Sequence, residues 1–225
     1  MEFKEKVDPA HTAVLVVDMQ NDFCSRGGAY DQANPGLDFG LVDEMVPRLA
    51  SFLDEARRNG IRVLYIQAIY NADDDRYMSP AWLEHAQRRR HGMYTTIPVC
   101  KEGEWGAEII SQIAPREGEM VMTKHRYSAF IDTPLTSYLR NLGIQTVLVT
   151  GVGTNGCVES TARDAFMLDH YVIVVEDCVA TYWKDLHDAA LKSLGLLFGE
   201  VRSAKDIVSA WDAVKADRAV PAGTT

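Results

Sequence analysis

The amino-acid sequence predicts a three-layer, doubly wound α/β domain built on about six parallel strands. Short runs of β-branched residues alternate along the chain with longer segments whose apolar residues recur every three or four positions. Such alternation makes right-handed crossovers, which place the strands in parallel and cover both faces of the sheet with helices. No stretch rich in proline, glycine or serine divides the chain, so we expect residues 1–225 to form a single domain.

In the first half of the chain, strands are predicted at residues 13–17, 61–66 and 119–123. The segment 41–59 carries apolar residues at helical spacing, namely Leu41, Met45, Leu49, Phe52, Leu53 and Ala56. Asn59 and Gly60 then end that helix. A shorter helix is predicted over residues 105–113. The stretch from about residue 71 to 101 is the least regular and predicts a loop or a small helical cap.

The second half continues the alternation and completes the predicted sheet. Its predicted helices cover residues 134–141, 158–168 and 184–197, with a last helix from residue 203, and its predicted strands cover residues 146–150, 171–175 and 200–201. The sheet therefore has helices available for each of its two faces.

Composition excludes several classes of function. A formal net charge of -9 would repel a phosphate backbone, so we expect no nucleic-acid partner. Apolar runs of about five residues are far shorter than a membrane span, and the first residues lack the apolar core of a signal peptide, which predicts a cytoplasmic protein. The four cysteines show no C-x-x-C spacing and the six histidines no paired ligand spacing, so we expect no metal and no cofactor.

Three polar residues stand at the ends of predicted strands. Asp18 follows the first strand, Lys124 follows the strand at 119–123, and Cys157 follows the strand at 146–150 after a glycine-rich turn. In an open parallel sheet, ligands bind outside the carboxyl ends of the strands, so all three are expected at one rim. Cys157 also precedes a predicted helix, whose N-terminal partial positive charge favours a thiolate.

An acid, an amine and a thiol together suggest nucleophilic catalysis. The Lys124 cation and the helix terminus would stabilise Cys157 as a thiolate, and Asp18 would accept a proton and return it to a leaving amine. The backbone N–H groups of Gly153 and Cys157 would form the oxyanion hole. Each residue also has an ordinary structural explanation, as a cap, a solvated charge or a small buried side chain, and the protonation state of Lys124 stays open at this point.

Five further residues near the strand ends are candidate substrate contacts. The rings of Phe23, Tyr70 and Tyr127 are expected to wall a pocket, and Gln67 or Asn71 would offer an amide to the substrate. The alternative is that these aromatic residues only pack against their neighbours. The expected ligand is a small molecule.

Three segments, taken in order, carry a family resemblance: residues 14–23 around Asp18, residues 124–130 from Lys124, and residues 151–164 around Cys157. Over about residues 10 to 205 the chain resembles the isochorismatase-like cysteine hydrolase superfamily. The resemblance implies the strand order 3-2-1-4-5-6, a catalytic triad of Asp18, Lys124 and Cys157, and a cis peptide bond between Val152 and Gly153. It also implies a homodimer or homotetramer.

Within that superfamily the resemblance narrows the expected reaction. Members that cleave a vinyl ether commonly lack the thiol, so Cys157 favours C–N hydrolysis, and residues 67–71 lack the Asp-x-His metal cluster typical of nicotinamidases. The motifs look most like ureidoacrylate and N-carbamoyl amidohydrolases, although those tend to have Asn in place of Ala68 and Trp in place of Tyr70. The expectation is a cysteine-dependent amidohydrolase that cleaves a small amide or ureido compound through a thioester. The alternatives are isochorismatase-type vinyl ether hydrolysis and a noncatalytic or redox-sensing module.

Overall fold

The fold is built on one six-stranded, wholly parallel sheet with the strand order β3-β2-β1-β4-β5-β6. The computed structural model describes residues 1–74, 76–89 and 91–219. The strands are β1 Thr12–Val17, β2 Arg62–Ala68, β3 Met120–Lys124, β4 Thr146–Val152, β5 Tyr171–Ala180 and β6 Glu200–Arg202. The predicted fold class and strand order are confirmed.

Helices lie against both faces of the sheet. In the described residues they are α1 Phe3–Lys6, α2 Asn21–Cys24, α3 Ala29–Ala33, α4 Gly40–Arg58, α5 Pro80–Arg89, α6 Leu135–Asn141, α7 Glu159–Met167, α8 Lys184–Leu197 and α9 Ala204–Ala219. Successive side chains of a strand point to opposite faces. Accordingly, Val14 and Val16 of β1 pack in the core with α4 and α9, whereas Leu15 packs in the core with α6, α7 and α8.

Helix α4 shows how local sequence sets an element. Its apolar positions are buried against the sheet, as the spacing predicts. At its end Ile61 N–H donates to Ala56 O over 2.9 Å and Gly60 N–H to Arg57 O over 3.0 Å. This is a Schellman motif, and it requires a left-handed residue, which Gly60 supplies with φ of 72°. The chain then turns directly into β2.

One predicted helix is wrong. Residues 105–113 form two 3₁₀ turns, Trp105–Ala107 and Ser111–Ile113, rather than a continuous helix. Between the turns the backbone bonds to the segment after β1, with Asn21 N–H donating to Glu108 O over 3.0 Å and Ile110 N–H to Met19 O over 2.9 Å. This long-range pairing takes backbone groups that a helix would have used locally.

Two other elements differ in extent from the prediction. Strand β5 runs to Ala180, five residues beyond the predicted end, because the chain continues alongside β4 past an irregularity in the β4 pairing. The predicted helix at 158–168 is preceded by a π-helical turn, Thr154–Val158, that leads into α7. Cys157 lies inside this turn.

The irregular stretch predicted at 71–101 contains helix α5 and several turns, and it covers part of the carboxyl edge of the sheet. Trp82 of α5 stacks on Tyr70, with ring centroids 5.4 Å apart. The cap therefore reaches the edge where the polar strand-end residues were expected. None of the helices in the described part of the chain combines the length and the hydropathy needed to cross a bilayer.

Candidate active site

Asp18, Lys124 and Cys157 meet at the carboxyl edge of the sheet. Lys124 Nζ donates to Asp18 Oδ2 over 2.8 Å and to Cys157 Sγ over 3.4 Å. Lys124 is completely buried, Asp18 is 1% exposed and Cys157 is 9% exposed. An ammonium thus joins an acid and a thiol away from bulk water, as the strand-end rule predicted.

Each of the three side chains is positioned by the end of a strand. Asp18 follows β1 directly, and its left-handed backbone with φ of 54° turns the chain while its N–H donates to Ile66 O of β2. Lys124 is the last residue of β3 and pairs with Ala68 of β2. Alternation along this edge strand turns Lys124 inward and leaves Thr123 exposed.

The turn after β4 delivers the thiol. Gly151 has φ of 108° and lies so close to β1 that a Cβ there would overlap the Val17 carbonyl oxygen. The Val152–Gly153 peptide bond is cis, as the family resemblance implied. Thr154, next in the turn, is buried, and its hydroxyl lies 2.9 Å from Nδ1 of His187 on α8.

Lys124 keeps its proton. Burial lowers the pKa of Lys124, but the negative charge of Asp18 and the hydrogen bonds of Lys124 to Asp18 and Cys157 outweigh burial, and the net shift of the pKa is upward. Besides the acid and the thiol, Lys124 Nζ contacts Arg126 O at 2.9 Å and the Tyr70 hydroxyl at 3.3 Å. The sequence left the protonation state of Lys124 open, and the raised pKa makes Lys124 an ammonium in the folded protein.

The resting state of Cys157 is the neutral thiol, contrary to the expectation of a stabilised thiolate. Burial and the charge of Asp18 raise the pKa of Cys157 to about 12, and the Lys124 ammonium only partly counters them. Burial also raises the pKa of Asp18. Asp18 Oδ1 has no hydrogen-bond partner among the described residues, and it therefore has a lone pair available for a proton.

Tyr70 belongs to the same cluster. Its hydroxyl oxygen lies 3.7 Å from Cys157 Sγ and accepts from Lys124 Nζ, and its ring packs face to face on Trp82 and edge-on to Tyr94. Burial, first of all, raises the pKa of Tyr70 well above its ordinary value, so the phenol keeps its proton. The sequence predicted only a pocket wall here, whereas the structure places the Tyr70 hydroxyl beside the Cys157 sulfur.

A cavity of about 170 Å³ reaches Asp18 and Cys157. Phe23, Tyr70 and Tyr127 line it, together with the turn that carries Gly153 and Cys157. Sequence reasoning missed other lining residues, among them Tyr30, Tyr94, Thr181, Tyr182 and Trp183. Residues 181–183 directly follow β5, so the strand-end rule would have found them had the end of β5 been predicted correctly.

Gln67 and Asn71 do not line the cavity, which corrects their assignment as substrate contacts. Gln67 lies in a separate surface depression with Thr123 and donates to Ala107 O over 2.8 Å. Asn71 holds the cap together by donating to Tyr94 O and accepting from Val99 N–H. Both amides thus bond to the backbone of neighbouring loops.

The remaining thiols lie outside the cavity. Cys24, Cys100 and Cys178 are buried, and burial is the first cause that raises the pKa of each. In the part of the chain that the structure describes, no group of three histidine, cysteine or carboxylate side chains is arranged to hold a metal ion.

The family is decided by a sequence profile described as "Isochorismatase domain", which matches residues 12–206. The chain belongs to the isochorismatase family. Two curated relatives, both named ureidoacrylate amidohydrolase, come from Enterobacter sp. strain 638 and Methylobacterium radiotolerans. The first is 34% identical over 90% of this chain and 90% of its own length. The second is 36% identical over 96% of this chain and 84% of its own length.

Solved structures agree with the isochorismatase-family fold. N-carbamoylsarcosine amidase from Thermoplasma acidophilum is 27% identical and superposes with a TM-score of 0.65 over 86% of this chain and 96% of its own. A cysteine hydrolase from Pseudomonas syringae pv. phaseolicola is 24% identical and superposes with a TM-score of 0.77 over 92% of this chain and 95% of its own. The curated relatives are amidohydrolases, that is, hydrolases acting on C–N bonds, which agrees with the enzyme class predicted from the sequence.

Proposed function

We propose that this isochorismatase-family protein is a cysteine-dependent amidohydrolase that cleaves a C–N bond of a small amide or ureido (N-carbamoyl) compound through a thioester intermediate. The observation that carries the proposal is the buried contact of Lys124 with both Asp18 and Cys157 at the floor of a cavity. The names of the curated relatives, which are ureidoacrylate amidohydrolases, and of N-carbamoylsarcosine amidase support the bond type.

In the first half-reaction, Cys157 Sγ forms a bond to the substrate carbonyl carbon while its proton moves to Asp18. A thiol with a pKa of about 12 is scarcely ionised at neutral pH, so proton transfer accompanies the attack. The carbonyl π electrons pass to oxygen, and the backbone N–H groups of Gly153 and Cys157 receive that oxyanion. One well-aimed donor of this kind lowers the activation barrier by about 3 to 4 kcal/mol.

Collapse of the tetrahedral intermediate breaks the C–N bond. Asp18 returns its proton to the departing nitrogen, which leaves as ammonia or an amine, and the acyl or carbamoyl group stays on Cys157 as a thioester or thiocarbamate. Water then attacks that carbonyl while Asp18 takes the water proton. The C–S bond breaks, and the proton passes from Asp18 to the sulfur, which restores the thiol.

Lys124 does not shuttle a proton in this scheme. Its raised pKa keeps it an ammonium throughout, and from 3.4 Å it offsets the negative charge that develops on sulfur. Tyr70, whose hydroxyl lies 3.7 Å from the sulfur, offers a second donor to the same charge. Lys124 and Tyr70 thus stabilise the negative charge on the Cys157 sulfur before that charge passes to the carbonyl oxygen of the substrate.

The test is ammonia release from a panel of ureido acids, substituted ureas, biuret, nicotinamide and simple amides. Wild-type turnover is expected on at least one of them, and Cys157→Ala is expected to lose it. Cys178→Ala is the matched control, because it removes a buried thiol that lies outside the cavity. A covalent adduct on Cys157, trapped at low pH and weighed by mass spectrometry, supports the thioester.

Three outcomes contradict the proposal. Full activity of the Cys157→Ala variant would show that Cys157 is not the nucleophile. Pyruvate formed from isochorismate, with no ammonia from the panel, assigns vinyl ether hydrolysis instead. Oxidation of Cys157 to a sulfenic acid, without turnover of any amide, assigns a redox-sensing role.

A further inference from the structure

We propose that His187 is a positioning residue of the candidate active site, and that it holds the turn that carries Cys157 through a hydrogen bond with Thr154. This role rests on the proposed function, because His187 would serve the same reaction by acting through the turn rather than on the substrate. The bond joins helix α8 to the π-helical turn Thr154–Val158, and its two residues are 33 positions apart in the sequence.

The Thr154 hydroxyl anchors the turn between the proposed oxyanion donor and the thiol. Thr154 is wholly buried, so its hydroxyl needs a hydrogen-bond partner inside the protein. That partner is Nδ1 of His187, at 2.9 Å. Thr154 directly follows Gly153 and stands three residues before Cys157. A displacement of Thr154 would therefore move the Gly153 N–H group and the Cys157 thiol relative to a bound substrate.

The backbone bonds of the turn hold it together, but they do so locally. Gly153 O accepts from Gly156 N–H over 2.9 Å and from Val158 N–H over 3.2 Å. Between these residues Asn155 departs from helical geometry, with φ of -86° and ψ of 15°. Such bonds tie one part of the turn to another, whereas the Thr154 hydroxyl bonds the turn to a separate helix. The bond to His187 thus helps to set where the turn lies relative to the rest of the fold.

Helix α8 is a firm support for this anchor. Leu194 of α8 is buried in the same core cluster as Val149 of β4, the strand that leads into the turn. At the start of the helix His187 N–H donates to Trp183 O over 2.9 Å, and Trp183 lines the cavity. His187 therefore contacts the turn through its ring and a residue of the cavity wall through its backbone.

The His187 ring suits this contact near neutral pH. Burial, first of all, lowers the pKa of His187, and the exposed pair of Asp188 and Lys184 has opposing effects on it, so the ring is neutral at pH 7. A neutral imidazole has one donor and one acceptor nitrogen, and a threonine hydroxyl can take either complementary role. The bond therefore forms with either tautomer of the ring.

Loss of the bond should slow the reaction more than it weakens substrate binding. The sulfur and the N–H donors must meet the carbonyl group in the right geometry, and a displacement of about 1 Å can cost about 100-fold in rate. For Thr154→Val and His187→Phe we expect kcat for ammonia release to fall by about 10- to 100-fold, with KM changed by less than about 3-fold. Alkylation of Cys157 by iodoacetamide, measured on its peptide by mass spectrometry, should slow by about 10-fold.

Four further variants separate positioning from a general loss of structure. Thr154→Ser and His187→Asn keep a hydrogen-bonding group and should recover kcat to within about 3-fold of the wild-type value. The double variant Thr154→Val/His187→Phe should be no slower than the slower single variant, because both changes act through one bond. His170→Phe is the matched control and should leave kcat and alkylation unchanged. Burial also lowers the pKa of His170, but His170 precedes β5, at the opposite edge of the sheet.

Unchanged kcat and alkylation in both single variants would overturn the role of His187. Equal losses in His170→Phe, losses that add in the double variant, or no recovery in the conservative variants would overturn it as well. If Thr154→Val does not fold, His187→Phe decides, since His187 is only partly buried. Alkylation does not require turnover: if the wild-type protein releases no ammonia from any compound, the proposed function fails, and the alkylation rates still decide whether His187 positions the Cys157 turn.

Discussion

Lys124 Nζ lies 2.8 Å from Asp18 Oδ2 and 3.4 Å from Cys157 Sγ, with the lysine side chain entirely buried. A single ammonium therefore balances the acid and also faces the sulfur on which charge develops. Buried ions are costly to leave unpaired, so this lysine contributes to folding and to the proposed chemistry at once.

Replacing Lys124 with Met should destabilise the protein, because it leaves the Asp18 carboxylate buried without a counter-ion. We expect the free energy of unfolding to fall by about 3 to 5 kcal/mol, measured by urea denaturation at pH 7. The acid limb of the pH profile of kcat/KM should also move to higher pH. In the wild-type protein burial raises the pKa of Asp18 and the Lys124 ammonium partly lowers it, and the variant lacks that ammonium. Lys101→Met is the control, because its partners Asp73 and Glu104 are exposed and such pairs contribute about 0 to 1 kcal/mol. A Lys124→Met loss as small as that control's would contradict the prediction.

Removing the Tyr70 hydroxyl should make Cys157 less acidic and less reactive. Burial raises the pKa of Cys157, and the hydrogen bond of the Tyr70 hydroxyl partly offsets that rise. Phe removes the hydroxyl and keeps the packing on Trp82. For Tyr70→Phe we expect kcat/KM and the rate of Cys157 alkylation by iodoacetamide to fall by about 10-fold or more, as for one hydrogen bond to a charged group. Tyr65→Phe also removes a buried hydroxyl, one that donates to Ile113 O, and should leave both rates unchanged. An unchanged alkylation rate in Tyr70→Phe would show that the Tyr70 hydroxyl does not activate Cys157.

Stability should fall at alkaline pH because the folded protein holds the Cys157 proton. The ordinary pKa of 9.0 applies to the unfolded chain, and burial raises the pKa to about 12 in the folded one. Below pH 9 both states bind the proton and the thiol contributes no slope. Between pH 9 and 12 the unfolded state loses it first, so the free energy of unfolding falls by up to about 1.4 kcal/mol per pH unit from this thiol.

The measurement is urea denaturation of the wild-type protein and Cys157→Ala from pH 8 to 11. Wild-type stability should decline more steeply than that of the variant, since the variant lacks one of the thiols whose pKa is raised. Parallel curves would mean that Cys157 has a similar pKa in both states.

Gly151→Ala should be strongly destabilising. The residue has φ of 108°, and the new Cβ would overlap the carbonyl oxygen of Val17, the residue before Asp18. Strain and steric overlap together predict a loss of about 3 kcal/mol or more in the free energy of unfolding. Gly118→Ala is matched in backbone, with φ of 84°, but meets no atom within 4 Å and should lose only about 1 kcal/mol. Equal losses in a thermal melt would show that backbone strain alone decides the effect.

Elements with local signals were predictable from the chain itself. Helix α8 has the predicted bounds, because its apolar spacing is complete within the segment. The edge positions of Asp18, Lys124 and Cys157 follow from a topological rule, since parallel strands end at one rim. Residues 105–113 show the limit: their backbone pairs with residues 19–21, which no local pattern indicates.

The alternation of strands and helices, and the acid, amine and thiol at three strand ends, are properties of the sequence alone. The protonation states are not, because they depend on burial and on distances between residues far apart in the chain. Folding removes water from Cys157 and brings Asp18 near it, which makes the resting Cys157 side chain a thiol rather than a thiolate. Folding also places the Tyr70 hydroxyl beside the sulfur and turns Gln67 and Asn71 away from the cavity, because packing decides where a side chain points.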